Sequence, residues 1–256
     1  MFDRPRLIPC LLMDNGNLVK TKKFKNPNYL GDPINTVKIY NEKEVDELCI
    51  LDITKKAKKI DFDFLKNITM EAFMPLSYGG GIVEIEQAKK LYHIGFEKLV
   101  FNTSLIEKPD LIREVSTYAG SQSVVASIDV KKNPWFGSKC FIDCGRKRIN
   151  ITPVSLAKQA EELGAGEIFL NSMDRDGMME GYDLNLIREV ALSVNIPVIA
   201  CGGAGTIEDL KLAIEAGAHA AAAGSIFVYY GTRNAVLINY PDEDYLIQSG
   251  IFAGGR

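Results

Sequence analysis

The sequence predicts a single (β/α)8 barrel, or TIM barrel, from three observations. First, short apolar runs of strand length recur eight times along the 256 residues, and consecutive aliphatic positions are typical of strands buried on both faces. Second, amphipathic segments lie between these runs, and such alternation predicts a parallel sheet with right-handed crossovers. Third, the chain carries an internal repeat. Eight strand–helix units can close on themselves as a barrel.

Each predicted element is bounded by residues that favour its start or its end. In the predicted helix 206–216, apolar positions recur every three or four residues, Thr206 can cap the start, and Gly217 can end it. The predicted strands are 6–12, 47–53, 74–78, 98–102, 123–129, 167–172, 197–201 and 219–223. The other predicted helices are 33–44, 62–72, 84–95, 109–118, 153–164 and 183–194.

The internal repeat has an offset of about 120 residues and predicts two half-barrels, about 1–120 and 121–256. "DELCILDIT" at 46–54 parallels "GEIFLNSMD" at 166–174, and "RLIPCLL" at 6–12 parallels "SVVASID" at 123–129. An open doubly wound sheet is the alternative, but no GxGxxG motif follows the first strand.

Composition excludes several classes of protein. A net charge of −3 does not favour a general nucleic-acid binder. No run approaches the roughly 18 apolar residues that span a bilayer, and the first ten residues lack a signal-peptide core. The five cysteines form no CxxC pair, so we expect reduced thiols, no bound metal, no cofactor and a cytoplasmic protein.

Glycine-rich turns follow strands 3, 4, 7 and 8 of the predicted barrel. Loops after strands gather on the C-terminal face, where glycine lets the backbone approach an anion. The pairs after strands 3 and 4 and after strands 7 and 8 predict a ligand with a phosphate at each end. Tight βα turns without a ligand are the alternative. The turns are 79–81, 102–104, 202–205 and 224–225.

Asp129 is the candidate acid–base residue, because it ends strand 5, where a charge is costly unless it is used or paired. A buried structural hydrogen-bonder is the alternative. Acid–base chemistry commonly needs two groups in different environments, yet the repeat places Leu12 opposite Asp129. Asp14 has the same strand parity as Leu12 but lies two residues further on, beside the turning Gly16.

Four charged residues begin four of the predicted strands and would meet at the bottom opening of a barrel. Two are positive and two are negative, and on chemistry alone a stabilising network is favoured there. They are Arg6, Glu47, Lys98 and Glu167.

From about residue 5 to 227 the chain resembles the cyclase subunit of imidazole glycerol phosphate synthase. The motifs that carry the resemblance include "YGGGI", "FNTSLIEKPDLI", "GAGEIFLNSMDRDGMMEGYD" and "IACGGAG". The resemblance implies a barrel of two half-barrels that receives ammonia at its bottom face from a separate glutaminase subunit. At the top face, the ammonia would react with a bisphosphate ribonucleotide to give imidazole glycerol phosphate and an aminoimidazole carboxamide ribotide.

The resemblance also implies roles for individual residues. It implies that the four charged residues form a gate for ammonia and the surface on which the glutaminase docks. It also places Lys20 in a flexible loop after strand 1. A phosphorylated small-molecule ligand is expected between two phosphate sites, with Asp176 also in contact. The first site comprises Gly80, Gly81, Asn102 and Thr103, and the second Gly177, Gly203, Gly224 and Ser225.

Departures from the family pattern are specific. Leu12 stands where the family has its second acid–base aspartate, Asn171 and Cys201 replace small hydroxyl residues, and the chain after 227 is unlike the usual ending. A lysine run at 55–59 adds positive charge near the mouth. These changes resemble a branch linked to sugar amidation in bacterial surface polysaccharides, in which a separate sugar amidotransferase would use the ammonia. A histidine-pathway cyclase-lyase and a non-catalytic scaffold that activates the glutaminase are the alternatives.

Overall fold

Eight parallel strands form the closed barrel of the computed structural model, which describes residues 4–54, 59–133, 137–231 and 233–252. Closure is complete because strand 5 pairs with strand 6 and strand 8 pairs with strand 1. The barrel strands are β1 (Arg6–Asp14), β2 (Leu48–Asp52), β3 (Leu76–Gly79), β4 (Lys98–Phe101), β5 (Val124–Asn133), β6 (Glu167–Ser172), β7 (Val198–Cys201) and β8 (Ala220–Ala223). The predicted fold class is therefore confirmed.

The helices begin where the sequence places a capping side chain. Asp32, Asp61, Thr152 and Asp183 each accept a hydrogen bond from a backbone N–H in the first turn of the following helix. The long helices are α1 (Pro33–Glu42), α2 (Phe62–Met70), α3 (Ile85–His93), α5 (Pro109–Ala119), α6 (Pro153–Glu162), α7 (Leu184–Ala191) and α8 (Ile207–Glu215). The short ones are α4 (Thr103–Glu107), α9 (Ser225–Val228) and α10 (Glu243–Gln248).

All seven predicted helices are present, with ends that differ by a few residues. Thr206 caps α8 in a capping box with Asp209, and Gly217 follows the helix with φ +107°. The three short helices were not predicted, because four to six residues are too few to show a helical period. Two of them, α4 and α9, start directly after β4 and β8 and so border the top face.

Strands 1 and 5 are longer than predicted, and both continue into antiparallel hairpins above the barrel. β1 runs to Asp14 and turns at Asn15 and Gly16, whose φ values of +51° and +79° are those of a type I′ turn. The return strands after β1 are Asn17–Lys22 and Lys25–Gly31, and those after β5 are Gly137–Ile142 and Lys147–Arg148. The predicted ends at 12 and 129 were wrong because tertiary pairing extends both strands.

Side chains alternate between two apolar layers along each barrel strand, as closed sheets require. Leu7 packs outward in the large cluster between sheet and helices, whereas Ile8 packs inward in a second cluster. The inward cluster fills the lumen of the barrel with aliphatic, aromatic and thiol groups. It comprises Ile8, Cys10, Cys49, Val100, Val125, Phe169, Ile199, Ala220 and Ala222.

The segment after β8 takes an unusual course for a barrel of this kind. It forms α9, a small hairpin of Tyr229–Tyr230 with Ala235–Val236, and then α10. The Tyr240 hydroxyl lies 3.1 Å from the Leu7 carbonyl oxygen and 3.1 Å from Asp46 Oδ2, which ties the segment to the start of β1. Over the described ranges, no helix combines the length and apolar character needed to cross a membrane.

Candidate functional site

The four charged side chains at the strand starts meet at the bottom opening as a closed ring. Arg6 donates to Glu47 at 2.5 Å and to Glu167 at 2.6 Å. Lys98 Nζ lies 3.0 Å from Glu47 Oε2 and 3.0 Å from Glu167 Oε2. Each carboxylate therefore bridges both cations, and positive and negative groups alternate around the opening.

Burial makes this ring a stronger electrostatic feature than surface ion pairs. Only 3% of the Glu47 side chain and 11% of the Glu167 side chain are exposed. Burial lowers the pKa of Arg6, but Glu167 and Glu47 outweigh it, so the net pKa is raised. Removing one cation would leave a buried carboxylate with a single partner, a change that typically costs several kcal/mol. The ring therefore joins the four strand starts through ion pairs that are costly to break.

Above the ring, the lumen is lined by apolar and thiol groups. Cys10 stands next to Cys49 in the sheet register, and all three of Cys10, Cys49 and Cys201 belong to or pack on the inward cluster. Contacts with Cys201 and Cys49, together with burial, raise the pKa of Cys10 well above its usual value, so the thiol stays neutral. Among the described residues the inward cluster holds no charged side chain, so a charged molecule is disfavoured there.

At the top of the lumen lies a cavity of about 170 Å³. Its wall combines lumen residues such as Cys10 and Ser127 with residues of the C-terminal loops, including Asn102 and Gly224. The lumen and the top face therefore meet in one small space. Its charged and amide side chains include Lys20, Asp52, Asp129, Asn171 and Asp176.

Asp129 is the buried carboxyl of this cavity. It is 7% exposed and pairs in register with Asn171 of β6. Burial raises the pKa of Asp129 to about 7; a hydrogen bond from the Asn171 side chain lowers it, and the charge of Asp176 raises it. A carboxyl with this pKa can hold or release a proton near neutral pH, which suits acid–base work.

The position opposite Asp129 carries no such group. Leu12 borders the same cavity and pairs in register with Leu51 of β2. Asp14 borders neither of the two top-face cavities, and its carboxylate accepts a hydrogen bond from the Asn15 side chain. The structure thus places Leu12, and not Asp14, across from Asp129.

The hairpin after β1 is held down over the top face by Asp176. The Asp176 carboxylate accepts from Lys20 Nζ at 2.8 Å, from Thr21 Oγ1 at 2.7 Å and from the Phe24 backbone N–H at 3.2 Å. Lys20 is 7% exposed, so this ion pair is buried. The expected flexible loop is closed here, and Lys20 points at a carboxylate. Thr21 and Phe24 also line the cavity, and no motif in the sequence indicated them.

The first predicted phosphate site borders a large open cavity of about 740 Å³. Gly80 has φ +132°, and a Cβ there would lie 2.5 Å from the Asp52 carbonyl oxygen, so only glycine fits. The Asn102 side chain donates to the Ser127 carbonyl oxygen at 3.1 Å, and Thr103 Oγ1 accepts from the Asp143 N–H at 3.0 Å. Other lining residues include Gly81, Lys59, Lys108 and Arg146.

The second predicted phosphate site is covered by the hairpin. A Cβ on Gly177 would lie 2.3 Å from the Thr21 carbonyl oxygen, and one on Gly224 would lie 3.0 Å from Lys20 Cε. A Cβ on Gly203 would likewise lie too close to the backbone of Gly181. Ser225 Oγ is buried, with no hydrogen-bond partner in the described part of the chain. The two sites, predicted as equivalent, therefore differ in access.

The two histidines lie in surroundings that indicate a structural role. His219 Nδ1 accepts from the Val198 backbone N–H, on the bottom side of the barrel, and His93 ends α3. Of the lysine run, 55–58 lies outside the described residues, while Lys59 lines the larger cavity. Within the described ranges, no group of three or more His, Cys, Asp or Glu side chains could hold a metal ion.

Comparison with known proteins identifies clear relatives. The model of the family described as "Histidine biosynthesis protein" matches residues 6–234. A Pseudomonas aeruginosa protein provisionally named imidazole glycerol phosphate synthase subunit hisF2 is 48% identical over 246 residues, 95% of this chain and 98% of that protein. A Leptospira interrogans protein provisionally named subunit HisF of the same synthase is 47% identical, over 94% of this chain and 96% of that protein. The Streptomyces griseus imidazole glycerol phosphate synthase subunit HisF is 43% identical, over 89% and 92% respectively.

Ionisation of Asp129 is expected to destabilise the fold, because its folded pKa of about 7 exceeds the unfolded value of about 3.9. Between roughly pH 4 and 7 the folded state keeps a proton that the unfolded state has released, so stability falls as pH rises. Asp129→Asn should therefore be more stable than the wild type at pH 8, by on the order of 4 kcal/mol, and equally stable near pH 4.

Urea unfolding between pH 4 and 8 measures this difference. Ser127→Ala, a non-titrating change two residues earlier on the same strand and in the same cavity wall, should keep the wild-type pH dependence. Parallel stability curves for the wild type and Asp129→Asn would contradict the assignment of a raised pKa.

Proposed function

The chain belongs to the histidine biosynthesis protein family, and from this premise we propose that it is the barrel subunit of a glutamine-dependent amidotransferase system. In this proposal a glutaminase docks on the bottom face and releases ammonia into the barrel. The ammonia passes the charged ring, crosses the lumen and leaves through the cavity at Asp129. A separate sugar amidotransferase then uses it in the synthesis of a surface polysaccharide.

One observation carries this proposal: an inward cluster of apolar and thiol groups lies between a closed ring of charges and a cavity that holds the buried carboxyl of Asp129. The ring of Arg6, Glu47, Lys98 and Glu167 is the gate in this account. Ammonia is small and neutral, so it can cross an apolar passage that excludes ions and most water-borne solutes. A pure stabilising network would explain the ring but not the cavity that lies above it.

The bottom face carries exposed apolar side chains that suit a docked partner. Phe73 is 90% exposed and Leu192 83% exposed, and both lie in loops that lead into strand starts. Met70 and Tyr118 lie at the bottom ends of α2 and α5 and are also exposed. Large exposed apolar groups on one face are typical of protein interfaces. We assign the glutaminase to this surface.

The top face favours ammonia transfer over ring closure by this chain itself. Proton transfers at two positions of a substrate need two groups, and Leu12 supplies none. Asp176 is occupied by Lys20, Thr21 and Phe24 while the hairpin is closed. Asp129 then remains as the one buried carboxyl that can exchange a proton in this cavity.

The phosphate sites support a second candidate function, that of a working cyclase-lyase of histidine biosynthesis. Gly80, Gly81, Asn102 and Thr103 would bind one phosphate at the open cavity. Ser225 Oγ, buried and without a partner among the described groups, would donate to the other once the hairpin opens. Lys20, Asp176, Gly177, Gly203 and Gly224 would then face the same ligand. In the proposed function these groups bind a phosphorylated ligand that regulates ammonia release.

The two candidates differ in turnover of the bisphosphate ribonucleotide. The purified chain with an ammonium salt should convert it at a negligible rate, because Leu12 cannot transfer a proton. Leu12→Asp should raise the rate, and Leu12→Asn, of similar size but without a titrating group, should not. Product formation is followed by absorbance or chromatography. Efficient turnover by the wild type would favour the cyclase-lyase over our proposal.

The gate is tested by coupling in the assembled system of this chain, its glutaminase and the sugar amidotransferase. Arg6→Gln should lower the ratio of sugar amidated to glutamine hydrolysed, because it opens the ring to solvent, and added ammonium salt should restore amidation. Arg4→Gln is the matched control, since Arg4 is also at the bottom but pairs with Asp46 and Glu243 outside the ring. If both variants show the same ratio of sugar amidated to glutamine hydrolysed, the ring has a structural role and is not a gate.

A further inference from the structure

The two hairpins above the barrel concentrate positive charge. The β1 hairpin comprises residues 17–31, and the β5 hairpin comprises residues 131–148. Together they contain ten Lys and Arg residues and one Asp, a net charge of +9. The rest of the chain contains 20 Lys and Arg residues against 32 Asp and Glu residues, a net charge of −12. A chain with a total charge of −3 therefore separates its charges between these hairpins and the remainder of the fold.

Lysines face each other across the strands of both hairpins. Lys22 pairs in register with Lys25 in the β1 hairpin. Lys131 pairs in register with Lys139 in the β5 hairpin. Like charges directly opposite each other destabilise a strand pair. Because both hairpins carry this cost, their lysines favour a role in binding an anionic partner over a role in folding.

Three of these lysines are exposed and have no ion-pair partner within the described ranges. Lys22, Lys25 and Lys131 are all exposed, and none of them forms an ion pair with a described residue. By contrast, Lys20 and Arg146 on the same hairpins are paired with carboxylates. The three exposed lysines border neither of the two top-face cavities, so a small ligand in those cavities does not account for them.

The two hairpins contact each other above the mouth of the barrel. A Cβ on Gly145 of the β5 hairpin would lie 3.0 Å from Cδ1 of the Phe24 ring in the β1 hairpin. Phe24 also lines the cavity at the top of the lumen, as does Cys144 beside Gly145. The positive surface therefore lies over the cavity that holds Asp129, and a partner bound to it would cover the exit of the lumen.

The β1 hairpin also has features that suit a protein partner rather than a small anion. Tyr29 is 66% exposed on the return strand Lys25–Gly31. Among the described strands, this strand pairs only with Asn17–Lys22, so its other edge offers backbone donors and acceptors. Exposed tyrosines and free strand edges are both used in protein recognition.

We propose that the two hairpins form the docking surface for the enzyme that consumes the ammonia, and that this enzyme presents an acidic face to them; the inference rests on the proposed function. Ammonia that leaves the cavity reaches solvent unless the receiving enzyme covers the exit. Complementary charge orients such a partner and speeds its association. An anionic phospholipid surface would have the same charge but offers ammonia no acceptor.

The proposal is tested by the binding of purified sugar amidotransferase to the full chain, measured by sedimentation velocity at low salt. Lys22→Glu combined with Lys25→Glu should weaken binding by about tenfold, because repulsion replaces attraction at the docking surface. Lys131→Glu combined with Lys139→Glu tests the β5 hairpin in the same way. Wild-type binding should weaken as salt is added, since salt screens exposed charges.

The matched control is Lys66→Glu combined with Lys158→Glu, which changes the net charge equally. Both lysines are exposed and lie on α2 and α6, outside the two hairpins. This variant should bind like the wild type. The proposal is overturned if the wild type does not bind, or if the hairpin variants bind as tightly as the control.

A single reversal separates binding from folding. Lys25→Glu converts the like-charged pair with Lys22 into a pair of opposite charges. It should therefore raise the midpoint of thermal unfolding while it weakens binding. A variant that is both less stable and weaker in binding would give the lysine a structural role and contradict the proposal.

Vesicles of phosphatidylcholine, with and without phosphatidylglycerol, test the lipid alternative. Co-sedimentation that requires phosphatidylglycerol and is lost in the Lys22→Glu, Lys25→Glu variant would assign the surface to lipid and overturn the proposal. Binding is measured without glutamine, so it is independent of ammonia transfer. Lysine-dependent binding without transfer of glutamine nitrogen to the sugar would refute the proposed function and leave the docking surface standing. Transfer with binding that the hairpin variants do not change would do the reverse.

Discussion

The closed ring of alternating charges at the bottom of the barrel is the interaction on which the rest of the structure depends. Arg6 and Lys98 each bridge Glu47 and Glu167, so four strands are joined through four side chains. Charges this buried are tolerated only when paired, because desolvation otherwise outweighs their attraction. The ring therefore joins the starts of four barrel strands, and the inward cluster of apolar and thiol groups packs above it.

The top face is asymmetric, and its asymmetry follows from one missing carboxyl, one buried carboxyl and one ion pair. Leu12 stands on one side of the cavity, where a carboxyl is missing. On the other side, burial raises the pKa of Asp129 to about 7. The Lys20–Asp176 pair draws the hairpin over the second phosphate site and leaves the first open. With Leu12 in place of a carboxyl opposite Asp129, the cavity lacks the second acid–base group that two-sided proton transfer needs at this position.

Local patterns in the sequence predicted the barrel, the ring and the missing carboxyl. The predicted strand starts share a pattern of charged residues, which predicts the ring. The internal repeat aligns Leu12 with Asp129, which predicts the missing carboxyl. The hairpin after β1 was not predicted. Asn15-Gly16 is a strong turn signal, but the predicted first strand ends at residue 12, before this turn. Its closure could not have been predicted, since Lys20 and Asp176 are far apart in sequence. The course of the segment after 227 likewise depends on long-range contacts, such as those of Tyr240 with Leu7 and Asp46.

The central claim is that nitrogen crosses the barrel without mixing with solvent, and isotope competition measures this directly. The assembled system is supplied with glutamine labelled with ¹⁵N at its amide and with an excess of unlabelled ammonium chloride. Mass spectrometry of the amidated sugar then gives the source of its nitrogen. The account predicts that the sugar keeps nearly all of the ¹⁵N label despite the excess. A label diluted to the proportion of ¹⁵N in the bulk ammonia would contradict it.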